Sequence, residues 1–366
     1  MPIDGNAIVY CQGAFDTPNG KTAHGLVRRT KRYRVLSVID TRHAGRDAGE
    51  LLDGREAGIP IVPDLTGALA DARVRGLPAD RLVIGLAPDG GRLPAEARAA
   101  MLAAIEAGLG VDSGLHDFVS EDPELAAAAR ARGVELRDVR KPPPRSALHF
   151  FSGKIAEVDS LKVALFGTDS AVGKRTTAWL LVDELATAGY SAELVGTGQT
   201  AWMQGARYGI ILDSLVNDFL SGEIEHAVWS AWRGGVSSGA RPDAIVVEGQ
   251  GSLLNPAYPG GYELLAAARP DAVVLQHAPA RTEYDGFPGF PLHPLGRQIQ
   301  AIELISGKPV VAITLNHEGL DAEGLAAAKA AIAEETGLPV CDPLTEGCAP
   351  VVAALAPWLE GRSKAR

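Results

Sequence analysis

Short apolar runs of strand length alternate along the chain with longer Ala- and Leu-rich segments whose apolar positions recur with helical period. The runs NAIVYC, YRVLSVID, IPIV, DRLVIGL, DFVS and VELRDVR predict strands in the N-terminal half. Between them, AEARAAMLAAIEAGL (95–109) reads as an amphipathic helix. Strands alternating with helices predict α/β units built on parallel sheets. The pattern breaks at KPPPRSALHFFSGKI, where the successive prolines 142–144 can continue neither a helix nor a central strand. It resumes with LKVALFG, SAELVG, DAIVVEG, DAVVLQH and KPVVAITL, with LPVCDPL as one more candidate. These are continuous runs rich in Val and Ile, as strands covered on both faces require. The predicted organisation is one α/β domain over residues 1–141, a Pro-rich linker and entry segment over 142–160, and a second α/β domain over 161–366.

A length of 366 residues exceeds one ordinary core and agrees with two domains. The net charge of −10 lacks the basic footprint of a nucleic-acid binder, although a local loop can still be cationic. Cys11, Cys341 and Cys348 are too few and too scattered for a disulfide framework or a zinc site, and no metal is expected. Cys11 is read as a small buried hydrophobe rather than a nucleophile. MPIDGNAIVY shows no basic segment followed by an apolar one, and no apolar run reaches membrane-spanning length. The expectation is a cytoplasmic protein that binds no membrane.

The chemistry concentrates at FGTDSAVGKRTTA (166–178), between the run LKVALF and the helical TTAWLLVDELATAG. A glycine turn between strand and helix followed by Lys is the context of a phosphate-binding loop. Backbone N–H groups at the helix start favour an oxyanion, and Lys174 adds a point charge. Gly167, Thr168, Gly173, Lys174, Arg175, Thr176 and Thr177 are the candidate binding residues. The loop departs from G-x-x-x-x-G-K-[ST] twice: Gly167 comes one residue early, and Arg175 stands where a magnesium-binding hydroxyl belongs. Phosphoryl transfer needs that metal between the β- and γ-phosphates. Thr176 could slide into that role, but Arg175 brings a fixed positive charge to the place instead. A ligand whose phosphates are held and never cleaved tolerates the change, and coenzyme A is such a ligand.

The loop resembles that of dethiobiotin synthetase and related P-loop proteins, as does VVEGQGSLLNP (246–256), which is similar to their strand-end VEGAGG. In that group the acidic residue, here Glu248, sits beside the phosphates. An Asn after a late strand, here Asn316 in TLNHEG, reads adenine in that group; making a turn is the equal alternative.

Over nearly its full length the chain resembles the D-glutamate and D-amino-acid N-acetyltransferases. The matching stretches are GKTAHGLVR, VIGLAPDGGRLP, GLGVDSGLHDF, DVRKPP, GTDSAVGKRTTA, GTGQTAWMQG and VEGQGSLLNP. The resemblance implies a Rossmann-like N-terminal domain and a P-loop NTPase-like C-terminal domain of the dethiobiotin synthetase type. It implies acetyl-CoA as co-substrate and a D-amino acid, D-glutamate first, as acceptor. An enolase-superfamily epimerase is the implied functional partner, and a homo-oligomer is expected. The family more often has Cys where this chain has Ser170. The alternatives are an ATP-dependent kinase or ligase and a non-catalytic nucleotide-binding module.

A dehydrogenase reading of the N-terminal domain finds little support, because CQGAFDTPNGKTAHG is not G-x-G-x-x-G. Asp40 alone occupies the position of a ribose-binding acid. NGKT (19–22) is read first as turn chemistry.

Acetyl transfer requires a proton acceptor, partners for the substrate carboxylates and donors for the oxyanion. Glu248, Asp169 and His277 lie at carboxyl ends of predicted strands and are the candidate bases. Glu248 comes first because Gly249 and Gly251 would let a substrate approach. Arg207 and Arg281 are candidates for the substrate carboxylates, with ordinary surface roles as the alternative. Gln199 and Thr200 could donate to the oxyanion or cap a helix. Tyr284 and Asp285 carry no assigned role.

Overall fold

The computed structural model describes residues 3–237 and 241–360. The chain forms two compact units. One comprises the residues through Pro142 together with Gln199–Gly205, and the other Pro143–Gly198 with the residues from Ala206 onward.

The first unit is built on six parallel strands: β1 (Gly5–Tyr10), β2 (Tyr33–Ile39), β3 (Ile61–Val62), β4 (Arg81–Ile84), β5 (Gly110–Ser113) and β6 (Leu136–Asp138). Their spatial order is β3-β2-β1-β4-β5-β6, the order of dinucleotide-binding sheets. The predicted helix at 95–109 forms as Ala95–Glu106. DFVS is not a strand. Asp138 accepts the N–H groups of Val119 and Ser120 at 2.6 and 3.0 Å, which draws Val119–Glu121 into a 3-10 turn. The strand falls instead on GVDS, whose polar residues concealed it. Asp112 there is fully buried, and its carboxylate accepts from Arg81, Arg137 and the Tyr33 hydroxyl.

The first βα turn closes on itself. The Asp40 carboxylate accepts the N–H groups of Phe15 at 3.0 Å, Arg42 at 2.9 Å and Gly13 at 3.3 Å. An acid with three backbone donors inside its own domain serves the turn rather than a ribose. Cys11 is fully buried, and burial raises its thiol pKa far above the ordinary value, as expected of an inert core thiol.

The second unit holds seven parallel strands: β7 (Leu161–Gly167), β8 (Ala192–Gly196), β9 (Tyr208–Gly209), β10 (Ala244–Glu248), β11 (Ala272–His277), β12 (Val310–Leu315) and β13 (Val340–Cys341). The order β13-β12-β11-β7-β10-β8-β9 places β7 between β10 and β11. Every residue of β7, β10 and β12 is buried, which is why these segments are uninterrupted in apolar character. The carboxyl end of β7 is the topological switch point, since the chain leaves it toward β8 while β11 flanks its other side. Ligands bind at such points in open α/β sheets.

The predicted linker is part of this second unit from Pro143 onward. Its segment 149–155 is strapped to helix Asn217–Ser237 through two buried glutamates. Glu223 accepts the His149 N–H at 2.6 Å, and Glu225 accepts those of Ser152 and Ile155 at 2.6 and 3.1 Å. Among the described residues no helix is long and apolar enough to cross a membrane.

Candidate active site

β7 ends at Gly167, and helix Lys174–Thr187 begins seven residues later behind the phosphate-binding loop. Ala171 and Gly173 both have left-handed backbone, with φ of 52° and 104°. Such a turn aims successive N–H groups inward and makes an anion-binding concavity. The first N–H groups of the helix have no intrahelical acceptor and extend the same donor surface. Lys174 is buried, and its Nζ donates to the carbonyl oxygens of Asp169 at 2.7 Å and Gly251 at 2.8 Å. An ammonium that donates to neutral carbonyls keeps a net positive charge at the loop, where an anion would be attracted.

Asp169 is not available as a base. Its side chain is fully buried, and Oδ1 accepts from the Ser170 N–H at 2.7 Å and Asn255 Nδ2 at 2.8 Å. Oδ2 accepts from the Asp285 N–H at 2.9 Å and pairs with Arg281 Nη1 at 3.1 Å. Four donors spend the carboxylate. It latches the loop to the segments carrying Asn255 and Arg281–Asp285.

That latch also removes Arg281 as a free anchor for substrate. Its guanidinium pairs with Asp169, donates to the Ser170 carbonyl at 2.8 Å and pairs with Glu318 at 2.8 Å. Arg207 is exposed beside the edge strand β9, stacked over the Tyr208 ring. It stands three strand spacings from β7, about 14 Å. Gln199 and Thr200 belong to the stretch that packs with the first unit, where the Thr200 hydroxyl pairs with that of Thr22 at 2.9 Å.

His277 ends β11 with Nδ1 on the Thr168 hydroxyl at 2.9 Å. Burial pushes its pKa down to about 4, so the ring is neutral at neutral pH and a weak proton acceptor. Thr168 is a support as well: its N–H donates to the Gln276 carbonyl and its carbonyl accepts from Gln298.

Glu248 ends β10, in register with Leu165 of β7. It is buried, and one carboxylate oxygen accepts the Thr197 N–H at 3.0 Å. Burial pushes its carboxyl above the ordinary value, opposed by Arg175, the Thr197 N–H and Lys174. Glu248 therefore feels both loop cations, and Arg175 brings positive charge to the acid that would face a metal in a phosphoryl-transfer site. Gly249 and Gly251 do not open a path for substrate. A Cβ on Gly249 would lie 2.5 Å from the Leu165 carbonyl, and one on Gly251 2.0 Å from that of Tyr258. Both glycines let backbone meet backbone.

Asn316 makes a turn, with Oδ1 accepting the Glu318 N–H at 3.0 Å and its own N–H on the His277 carbonyl. Its amide nitrogen takes no partner among the described residues, so both sequence readings remain compatible with its geometry. Thr176 is half-buried in the first helical turn, while the Thr177 hydroxyl is spent on Gln276 Oε1 at 2.6 Å. Among the described residues no group of three His, Cys, Asp or Glu side chains is arranged to hold a metal ion. Sequence reasoning missed Gln276, Asn255 and Thr197. Gln276 had a signal, a polar residue near the end of the otherwise apolar DAVVLQH, beside the more conspicuous His277.

A family model described as a domain of unknown function, DUF1611_C P-loop domain, matches residues 149–352, and the DUF1611_N Rossmann-like domain matches 41–142. The chain is 31% identical over 300 residues to a D-glutamate N-acetyltransferase of Tritonibacter scottomollicae, covering 79% of this chain and 84% of that protein. It is 30% identical over 291 residues to a D-glutamate N-acetyltransferase of a Pseudoalteromonas species, covering 76% and 82%. The crystal structure of a DUF1611 family protein from Anabaena variabilis superposes with a TM-score of 0.85 at 29% identity, covering 96% of this chain and 99% of that one.

Proposed function

The chain belongs to the DUF1611 family, and from that premise we propose that it moves an acetyl group from acetyl-CoA to the α-amine of a D-amino acid, D-glutamate first. The observation that carries this reading is the similarity to two relatives bearing that name over more than three quarters of the chain. The site supports it independently, because a phosphate loop with Arg175 beside Lys174 suits phosphates that are held and not cleaved.

The phosphates of acetyl-CoA occupy the concavity between Ala171 and Thr176, with Lys174 as the counter-charge. The α-amine attacks the thioester carbonyl, the C–N bond forms, and the C–S bond breaks as the thiolate leaves. Glu248 takes the proton lost by nitrogen. It suits this role better than the other two candidates. Asp169 has four donors, one of them the paired Arg281 guanidinium, and burial pushes the His277 pKa down to about 4. A base works best when its pKa lies near the working pH, and the upward displacement of Glu248 moves it that way.

The thioester supplies the driving force, so turnover is expected in excess chelator and without ATP. Initial rates with and without EDTA, Mg²⁺ and ATP check this. Activity lost to chelator and restored only by Mg²⁺ with ATP would place the protein among the kinases and ligases.

A further inference from the structure

Gln276, the penultimate residue of β11, is 2% exposed. Its Oε1 accepts two hydroxyls, Thr177 Oγ1 at 2.6 Å from the helix behind the loop and Thr314 Oγ1 at 2.6 Å from β12. The two hydroxyl donors seat the carbonyl oxygen between the helix and β12, on the side away from the loop. Nε2 is thereby fixed facing the loop, 3.8 Å from the point a Cβ on Gly173 would occupy. The Gln276 backbone carbonyl accepts the Thr168 N–H at 2.9 Å, which ties the residue to the start of the same loop.

Nε2 itself meets no acceptor among the described residues. An apolar side chain of similar size would fill the same space and bring no donor to the loop. The anchoring of Oε1 by two hydroxyls holds this donor there.

We propose that Gln276 Nε2 is a ligand-binding donor that contacts a phosphate oxygen of the molecule held in the loop, and that Thr177 and Thr314 are its positioning residues. The proposal rests on the reading that this loop holds the phosphates of coenzyme A. A neutral donor beside Lys174 adds a directional contact without adding charge, and it faces the loop from β11, across β7 from Glu248.

The test is calorimetric titration of the full chain with coenzyme A. Gln276→Glu keeps the shape and the two hydroxyl bonds but presents an acceptor and a negative charge to the loop. It is expected to lower affinity by about 30-fold or more at pH 8, in line with an unfavourable contact at a charged group. The loss should shrink as pH falls and the carboxyl becomes a donor, a pH dependence the unsubstituted protein does not share. Thr177→Val with Thr314→Val frees the amide to turn and should cost a smaller factor, about 5 to 10. If Gln276→Glu does not fold, Gln276→Met fills the volume without a donor and should lose about 5-fold or more. Unchanged affinity in the folded Gln276 variant, with a loss in Lys174→Ala, overturns the role of Gln276 and leaves the loop reading standing. Unchanged affinity in both overturns the loop reading itself.

Discussion

Glu248→Gln is expected to lower kcat by a factor of about 10² or more while acetyl-CoA affinity stays within a few-fold of the starting value. Glutamine retains the size of the side chain and an oxygen for the Thr197 N–H, which the carboxylate now accepts at 3.0 Å. It cannot take a proton. If Glu248 served only to order the loop, the same change would weaken acetyl-CoA binding and spare kcat. Stopped-time rates at saturating substrate, paired with calorimetry, separate the two outcomes.

The same variant carries a stability signature. Burial raises the folded-state pKa of Glu248 above 4.5, so below that value the carboxyl is protonated in folded and unfolded chains alike. As pH rises from 4.5 through the higher folded value, the unfolded chain releases its proton first, and the original protein loses stability. Glu248→Gln escapes this loss. Its melting temperature should exceed that of the original protein at pH 8, with the gap closing toward pH 4. A higher melting temperature with a collapsed kcat is what a base held in an unfavourable setting predicts, whereas a carboxylate that only orders the loop would keep its kcat and lose melting temperature and acetyl-CoA affinity on substitution.

Lys174→Ala is expected to weaken acetyl-CoA binding by about 10- to 100-fold, the range for losing a hydrogen bond to a charged group. The ammonium now bridges two carbonyls, one in the loop and one on the segment after β10. Gly251 is half-buried, so water can replace the lost donor at its carbonyl, and the fold should survive. The dependence of affinity on salt should also flatten, because one charge facing the phosphates has gone. Titrations at low and high ionic strength, with circular dichroism as the check on folding, measure both effects.

The fold was legible where one face or both faces of a segment are apolar. LKVALFG, DAIVVEG, DAVVLQH and KPVVAITL became β7, β10, β11 and β12 because strands buried on both sides have no room for polar residues. It was not legible at GVDS. There a buried Asp112 is satisfied by Arg81, Arg137 and Tyr33, partners far away in sequence, and the apolar rule fails. The phosphate loop could be read because its geometry is local: a strand, a turn and a helix within one stretch of chain. The identities of the base and the carboxylate anchors could not, since proximity to a strand end does not reveal what already occupies a side chain. Asp169 and Arg281 each looked like a functional group and are each other's partners. Gln276 looked like core and carries the donor that faces the loop.

Acetyl transfer to a D-amino acid is tested by release of free coenzyme A thiol from acetyl-CoA. The purified full chain would be assayed against a panel of D- and L-amino acids, in chelator and without ATP. Thiol release is expected to depend on the amino acid, to be fastest with D-glutamate or a close D-congener, and to be matched by N-acetylated product in equal amount. No thiol release with any member of the panel, or release unaccompanied by an N-acetylated product, would contradict it.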